Sequence, residues 1–147
     1  MKAVLSTDGG ARGNPGPAAI GIVLEVEGAP VVRIGEAIGE ATNNVAEYRA
    51  ILRGLEEARR AGVTDLECRL DSELVVKQLN RDYRVKDATL AQLFVRAWNA
   101  AQAFRSVRFM VVPRAQNRVA DRLVNETLTK AGHPKKLAAF GRRAPRS

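Results

Sequence analysis

One cysteine, one histidine and no long apolar run set the first limits on this 147-residue chain. Cys68, alone, can form neither an internal disulfide nor a cysteine-built zinc site, and it fits a reduced, cytoplasmic setting. His133, between Gly132 and Pro134, excludes histidine-built zinc sites and leaves any catalytic base to another residue type. The apolar stretches fall well short of a bilayer span, and the N-terminus lacks the basic-then-apolar pattern of a signal peptide. No Gly-Lys-Ser/Thr follows the early glycines, which sets aside a phosphate-cradling P-loop. Internal repeats and an interdomain linker are also missing. The expectation is one domain over residues 1–133, monomeric and without a membrane, followed by a basic tail over 134–147.

What the chain does have is positive charge, with a net +8. That points to a polyanionic partner, although charge alone does not separate nucleic acid from an anionic surface or plain solubility. Much of the excess lies in Lys135, Lys136, Arg142, Arg143 and Arg146, in a segment without acids. The tail reads equally as a solvated end or as a grip on nucleic acid.

Near the N-terminus, a strand-like run from Lys2 to Thr7 delivers Asp8 into the loop Gly9-Gly-Ala-Arg-Gly-Asn-Pro-Gly-Pro17. Glycine permits close backbone approach and proline fixes φ, so a carboxylate beside such a loop suits a ligand pressed against backbone. An ordinary hairpin turn with a solvated aspartate explains the same residues.

Ala18–Glu27 and Pro30–Gly39 are rich in strand formers and separated by Gly28-Ala29, a hairpin signal. Thr42-Asn-Asn44 signals a helix start. Val45, Tyr48, Ile51, Leu52, Leu55 and Ala58 then recur at helical spacing until Gly62. Asp65–Leu70 is a short strand, and a helix starting at Asp71-Ser72 carries Leu74, Val75 and Leu79. The connector Arg81–Lys86 leads to a long helix from Ala88 to Phe104. Val107–Val112 is a fifth strand, Arg114–Asn117 a loop, and Arg118–Ala131 the last helix. The order βββαβαβα predicts an α/β domain with a five-stranded mixed sheet. The first and fourth strands are joined through a helix, so a right-handed crossover makes them parallel neighbours. Asp8 and Asp71 then fall side by side at the carboxyl edge, where ligands of open α/β sheets bind.

Glu47 borders the buried stripe of its helix, where an unpartnered acid is unusual. Asn44-Val-Ala-Glu47 also fits a capping box, Asp71 a helix cap shared with Ser72, and Asp121 a first-turn acid favoured by the helix dipole. Those local explanations leave the convergence of the acids as coincidence. Two aspartates a few ångströms apart repel unless a cation lies between them. Oxygen ligation without His or Cys favours Mg²⁺ or Mn²⁺ over zinc and suits a two-metal site acting on a phosphodiester.

Four segments, Thr7–Pro17, Thr42-Asn-Asn-Val-Ala-Glu47, Leu70-Asp-Ser72 and Asn117-Arg-Val-Ala-Asp121, together resemble type 1 ribonuclease H. The resemblance is to its shorter archaeal and bacterial form and runs up to Ala131. It implies a ribonuclease H-like fold with Asp8, Glu47, Asp71 and Asp121 as the catalytic, metal-binding carboxylates for two Mg²⁺ ions or for Mn²⁺. The implied reaction is endonucleolytic hydrolysis of the RNA strand of RNA–DNA hybrids, leaving 5′-phosphate and 3′-hydroxyl ends. The implied substrate contacts are Gly9, Gly10, Gly13, Asn14, Thr42, Asn43, Asn44, Ser72, Arg114 and Asn117. Amide side chains suit this, because they can donate to and accept from a 2′-OH.

The chain also departs from the family's pattern. Where long forms carry a histidine before the last helix, this loop reads Pro113-Arg-Ala-Gln116, so Arg114 is expected to meet phosphate instead. Val45 stands where the family's DNA-strand phosphate pocket has an arginine beside Thr42, which admits double-stranded RNA as a substrate. The segment Arg81–Lys86 is too short for the basic protrusion of long forms; Arg81, Arg84, Lys86 or the tail would supply grip. Two other readings compete: a non-catalytic hybrid or duplex-RNA binding module, and a transposase-like nuclease on the same fold. A pure binder gains nothing from four carboxylates set against phosphate. Asn-Pro-Gly-Pro and Thr-Asn-Asn favour ribonuclease H over a transposase. Arg12 has no assigned role.

Overall fold

The structure, a computed structural model, describes residues 1–134. Three long strands, β1 (Lys2–Ala11), β2 (Gly16–Val26) and β3 (Val32–Ala41), form an antiparallel meander. Helix α1 (Asn43–Arg60) crosses to β4 (Asp65–Leu70), which lies parallel to β1 with Leu5 opposite Cys68. Two helices, α2 (Glu73–Leu79) and α3 (Ala88–Ala101), precede β5 (Ser106–Val111), which pairs in parallel with β4. A single helical turn (Arg114–Gln116) leads into α4 (Arg118–Lys130). The sheet order is β3-β2-β1-β4-β5. The predicted five-stranded mixed sheet and the parallel β1–β4 neighbours are therefore present. The two helices predicted between the fourth and fifth strands are present as α2 and α3, the second ending at Ala101 rather than Phe104.

Period-two alternation divides the sheet into two faces. Leu5, Ile20, Ile22, Leu24, Leu66, Cys68 and Leu70 point to one side and pack under α1, with Tyr48, Ile51 and Leu55 as its buried stripe. Tyr48 is wholly buried, and its hydroxyl donates to Gln78 Oε1 at 2.7 Å, which ties α1 to α2. On the other face, α4 covers β2 and β3 through Val124 and Leu128 against Ala19. Replacing a side chain such as Leu5 by alanine in this main core would cost about 2–5 kcal/mol.

Two glycines set how closely the helices approach. A Cβ on Gly9 would lie 2.2 Å from the Ala46 carbonyl carbon, and one on Gly21 would lie 2.2 Å from the Ala120 oxygen. Bare backbone at these positions lets α1 and α4 rest directly on neighbouring strands. Gly21 is the cross-strand partner of Asp8. The two helix contacts therefore fall beside the candidate carboxylates.

The first strand corrects the sequence reading. Predicted to end at Thr7, it runs to Ala11, with Gly9, Gly10 and Ala11 paired to Ile20, Ala19 and Ala18. Poor intrinsic strand propensity is overridden by a complete ladder to β2. The turn is confined to residues 12–15. Within the proposed tail, residues 135–147 lie outside the described residues.

Among the described residues, no helix is long and apolar enough to cross a membrane.

Candidate active site

Asp8 lies inside β1, Asp71 directly follows β4, and Glu47 sits in the second turn of α1. Each of the three offers a carboxylate oxygen within 4.8 Å of the others. Asp8 and Glu47 are buried and Asp71 half-buried. Asp121, in the first turn of α4, falls outside that tight trio. It stands close enough to Asp8 for its negative charge to favour protonated Asp8.

The local explanations for these acids fare differently. The N-cap of α1 is Thr42, whose hydroxyl accepts from the Val45 amide at 3.2 Å. Glu47 does not close a capping box on Asn44; its Oε1 accepts from the Gly9 amide at 2.8 Å in a buried bond. Ser72 alone caps α2, accepting from the Val75 amide at 3.3 Å, which leaves Asp71 free of that duty. Asp121 is a first-turn acid as expected, and Arg114 Nη2 approaches its Oδ1 at 3.7 Å.

Burial, followed by the charges of Asp71 and Asp121, raises the Asp8 pKa from 3.8 to about 8. Burial, then Asp8 and Asp71, holds Glu47 well above its ordinary range, and burial also raises Asp71. The exposed Arg114 guanidinium opposes the shift at all three. Among the described residues, no lysine or arginine forms a salt bridge with Asp8, Glu47 or Asp71. An acidic pocket with so little internal compensation fits a hard divalent cation, since every donor is a carboxylate oxygen. Cys68 offers no competing nucleophile, because burial pushes its thiol up to about 12.

The expected substrate contacts separate into exposed and structural groups. Asn14 and Asn43 are exposed and mutually locked: Asn14 Oδ1 accepts from the Asn43 amide and Asn43 Oδ1 from the Ala11 amide, both at 2.9 Å. With one lone pair of each oxygen taken by a backbone N–H, each side chain keeps its whole NH₂ group to offer as a donor. These two residues line an open groove of about 770 Å³ with Thr42, Asn44, Asp87 and Thr89. Gly13 occupies the exposed turn with a φ of +91°.

Three further expected contacts lie deeper in the fold. Gly9 is buried under α1, where its amide serves Glu47. Gly10 is half-buried, and a Cβ there would stand at ordinary contact distance, 3.6 Å, from Val124. Asn117 is 2 % exposed and donates to the Thr7 carbonyl at 2.8 Å, fastening the start of α4 to β1. In the structure, Asn117 is a strut between these two elements. Ser72 remains half-buried at the cap of α2 and Arg114 remains exposed.

Sequence reasoning left Arg12 unassigned and did not single out Asn125. The Arg12 Nη2 donates to Asn125 Oδ1 at 2.9 Å, and Asn125 Nδ2 reaches Asp121 Oδ2 at 3.4 Å. The i, i+4 spacing of Asp121 and Asn125 on a helix was the available signal for the second contact.

A meander, a helical crossover to a parallel strand and acids gathered at the carboxyl edge of the sheet define the ribonuclease H-like class. Residues 6–127 match the family described as reverse transcriptase-like. A ribonuclease HI of Halobacterium salinarum is 46 % identical over 125 residues, covering 84 % of this chain and 63 % of that protein. The bifunctional protein Rv2228c of Mycobacterium tuberculosis is 44 % identical over 133 residues, covering 89 % of this chain and 36 % of its own length. The chain thus spans under two thirds of the first relative and about a third of the second. Among solved structures, the Halobacterium salinarum RNase H1 superposes with a TM-score of 0.85 at 43 % identity, covering 88 % of this chain and 99 % of that one. LC11-RNase H1 in complex with an RNA/DNA hybrid gives 0.82 at 41 % identity, covering 88 % and 98 %. The chain belongs to the reverse transcriptase-like family, and within it to the type 1 ribonucleases H.

Proposed function

We propose that this chain is an endoribonuclease that hydrolyses the RNA strand of RNA–DNA hybrids. One observation carries the proposal: the carboxylate oxygens of Asp8, Glu47 and Asp71 lie within 4.8 Å of one another, in surroundings that penalise their charge. Such a cluster gains from bound cations and has little use otherwise. The solved complex of LC11-RNase H1 with an RNA/DNA hybrid supports the choice of substrate.

Asp8, Glu47, Asp71 and Asp121 would hold two Mg²⁺ ions, or Mn²⁺. Bound there, the ions would supply activation of a water and stabilisation of the leaving oxygen of the phosphodiester, giving 5′-phosphate and 3′-hydroxyl ends. The remaining work falls to the chain. Gly9 holds the Glu47 carboxylate by its backbone amide. Asn14 and Asn43 present NH₂ donors to the ribose 2′-OH groups that distinguish RNA from DNA. Arg114, exposed beside Asp121, would supply positive charge to the scissile phosphate. We assign the protein to the cytoplasm and to a monomeric state.

Cleavage of end-labelled RNA–DNA, RNA–RNA and DNA–DNA duplexes, with Mg²⁺ and then Mn²⁺, tests this reading. Internal cuts confined to RNA paired with DNA, and abolished by EDTA, are expected. Added cleavage of duplex RNA would be traced to Val45, where a DNA-selecting arginine would stand. Tight hybrid binding without any cut would instead establish the non-catalytic binding module.

A further inference from the structure

Asp121 is set apart from the other three acids. It stands outside the tight trio, with its side chain 32 % exposed on the first turn of a helix. Its surroundings nevertheless define its orientation. Oδ1 faces the Arg114 guanidinium at 3.7 Å, and Oδ2 faces the Asn125 amide nitrogen at 3.4 Å. That last contact is long, so its value lies in which half of the amide is presented.

Arg12 decides that question. Its Nη2 donates to Asn125 Oδ1 at 2.9 Å, while its Nε donates to the His133 carbonyl at 3.0 Å. A guanidinium can only donate, so it requires the amide oxygen on its own side and sends the NH₂ towards Asp121. With the amide reversed, an oxygen would confront the carboxylate and the guanidinium would face an NH₂. Both contacts would then be repulsive.

We infer that Arg12 and Asn125 are positioning residues that orient the Asp121 carboxylate towards the acid cluster. Arg12 acts through Asn125, from the turn that also carries Asn14. Neither residue touches the reacting atoms. The inference rests on the ribonuclease H reading of the cluster. It competes with a purely mechanical role, in which Arg12 fastens the β1–β2 turn to the end of α4 through His133.

Asn125→Ala, Arg12→Ala and the double variant separate these roles. Three quantities are compared with wild type: kcat and KM on an RNA–DNA hybrid with Mg²⁺, calorimetric Mn²⁺ affinity without substrate, and the urea midpoint. Positioning predicts that Asn125→Ala lowers kcat and weakens Mn²⁺ binding roughly tenfold, a size usual for partners of metal ligands. KM should stay within about twofold, because neither residue is placed on the substrate. The double variant should lose no more than the larger single loss, since both residues act along one path. Unchanged kcat and Mn²⁺ affinity in Asn125→Ala, with only a lower urea midpoint in the variants, would overturn positioning in favour of the mechanical role. A wild-type chain that neither cleaves hybrid nor binds Mn²⁺ would overturn the ribonuclease H reading itself, and the inference with it.

Discussion

The Glu47 carboxylate accepts a buried 2.8 Å hydrogen bond from the amide of Gly9, 38 residues earlier. The same glycine leaves room for the Ala46 backbone, because a Cβ there would fall 2.2 Å from its carbonyl carbon. One residue without a side chain thus docks α1 on β1 and fixes a candidate metal ligand.

Gly9→Ala should accordingly damage fold and site together. The added methyl meets backbone, which cannot rotate aside, so a stability loss of about 1–3 kcal/mol is expected from overpacking. Urea unfolding measures that loss. Hybrid cleavage at temperatures where the variant is still folded should fall steeply, because Glu47 moves with its helix. Wild-type stability and activity in this variant would refute the close-docking account.

Stability without metal should depend on pH in a defined direction. Burial and the neighbouring acids raise Asp8 to about 8, and burial holds Glu47 well above its ordinary value. In the unfolded chain both acids release their protons near pH 4, as exposed carboxyls do, at about 3.9 and 4.3. The folded state therefore binds more protons between about pH 4 and about 8, and stability falls as pH rises through that window. Below it, the contribution is fully present. Urea midpoints of EDTA-treated protein should decline from about pH 5 to about pH 8, Asp8→Asn should flatten the decline, and Mg²⁺ should restore the lost stability. Identical profiles for wild type and Asp8→Asn would count against the charge balance described here.

Asn43→Asp offers a narrow test of hybrid recognition. Aspartate keeps the acceptor used by the Ala11 amide and removes the NH₂. The urea midpoint should stay near wild type, while KM for hybrid rises on the order of tenfold from a lost donor and an added negative charge near phosphate. An unchanged KM would remove Asn43 from the contact surface. Asn14→Asp, which keeps the acceptor used by the Asn43 amide, should behave alike.

The legible parts of this molecule were those written in short-range pattern. The strands of the meander, the stripe of α1 and the parallel pairing of β1 with β4 follow from alternation, helical spacing and crossover handedness. Hence the approach of Asp8 to Asp71 was readable from sequence. The continuation of β1 through Gly9 and Gly10 was not, because the ladder to Ile20 and Ala19 supplies what propensity withholds. Glu47 was matched to a local capping box, yet its partner lies on another element. Asn117 and Arg12 find their partners 110 and 113 residues away. No local motif encodes such distances.

The most direct test of the central claim is cleavage of a labelled RNA–DNA hybrid by wild type and Asp8→Asn, each with Mg²⁺ and with EDTA. Asparagine preserves the shape of the side chain and removes a charge that the fold accommodates at a cost. Asp8→Asn should therefore unfold at a urea concentration no lower than wild type while its cleavage collapses by several orders of magnitude, roughly the scale of losing an essential catalytic group. Wild type should cut only the RNA strand, and only with the metal present. Robust cleavage by folded Asp8→Asn, or by wild type in EDTA, would contradict a metal site built on Asp8, Glu47, Asp71 and Asp121.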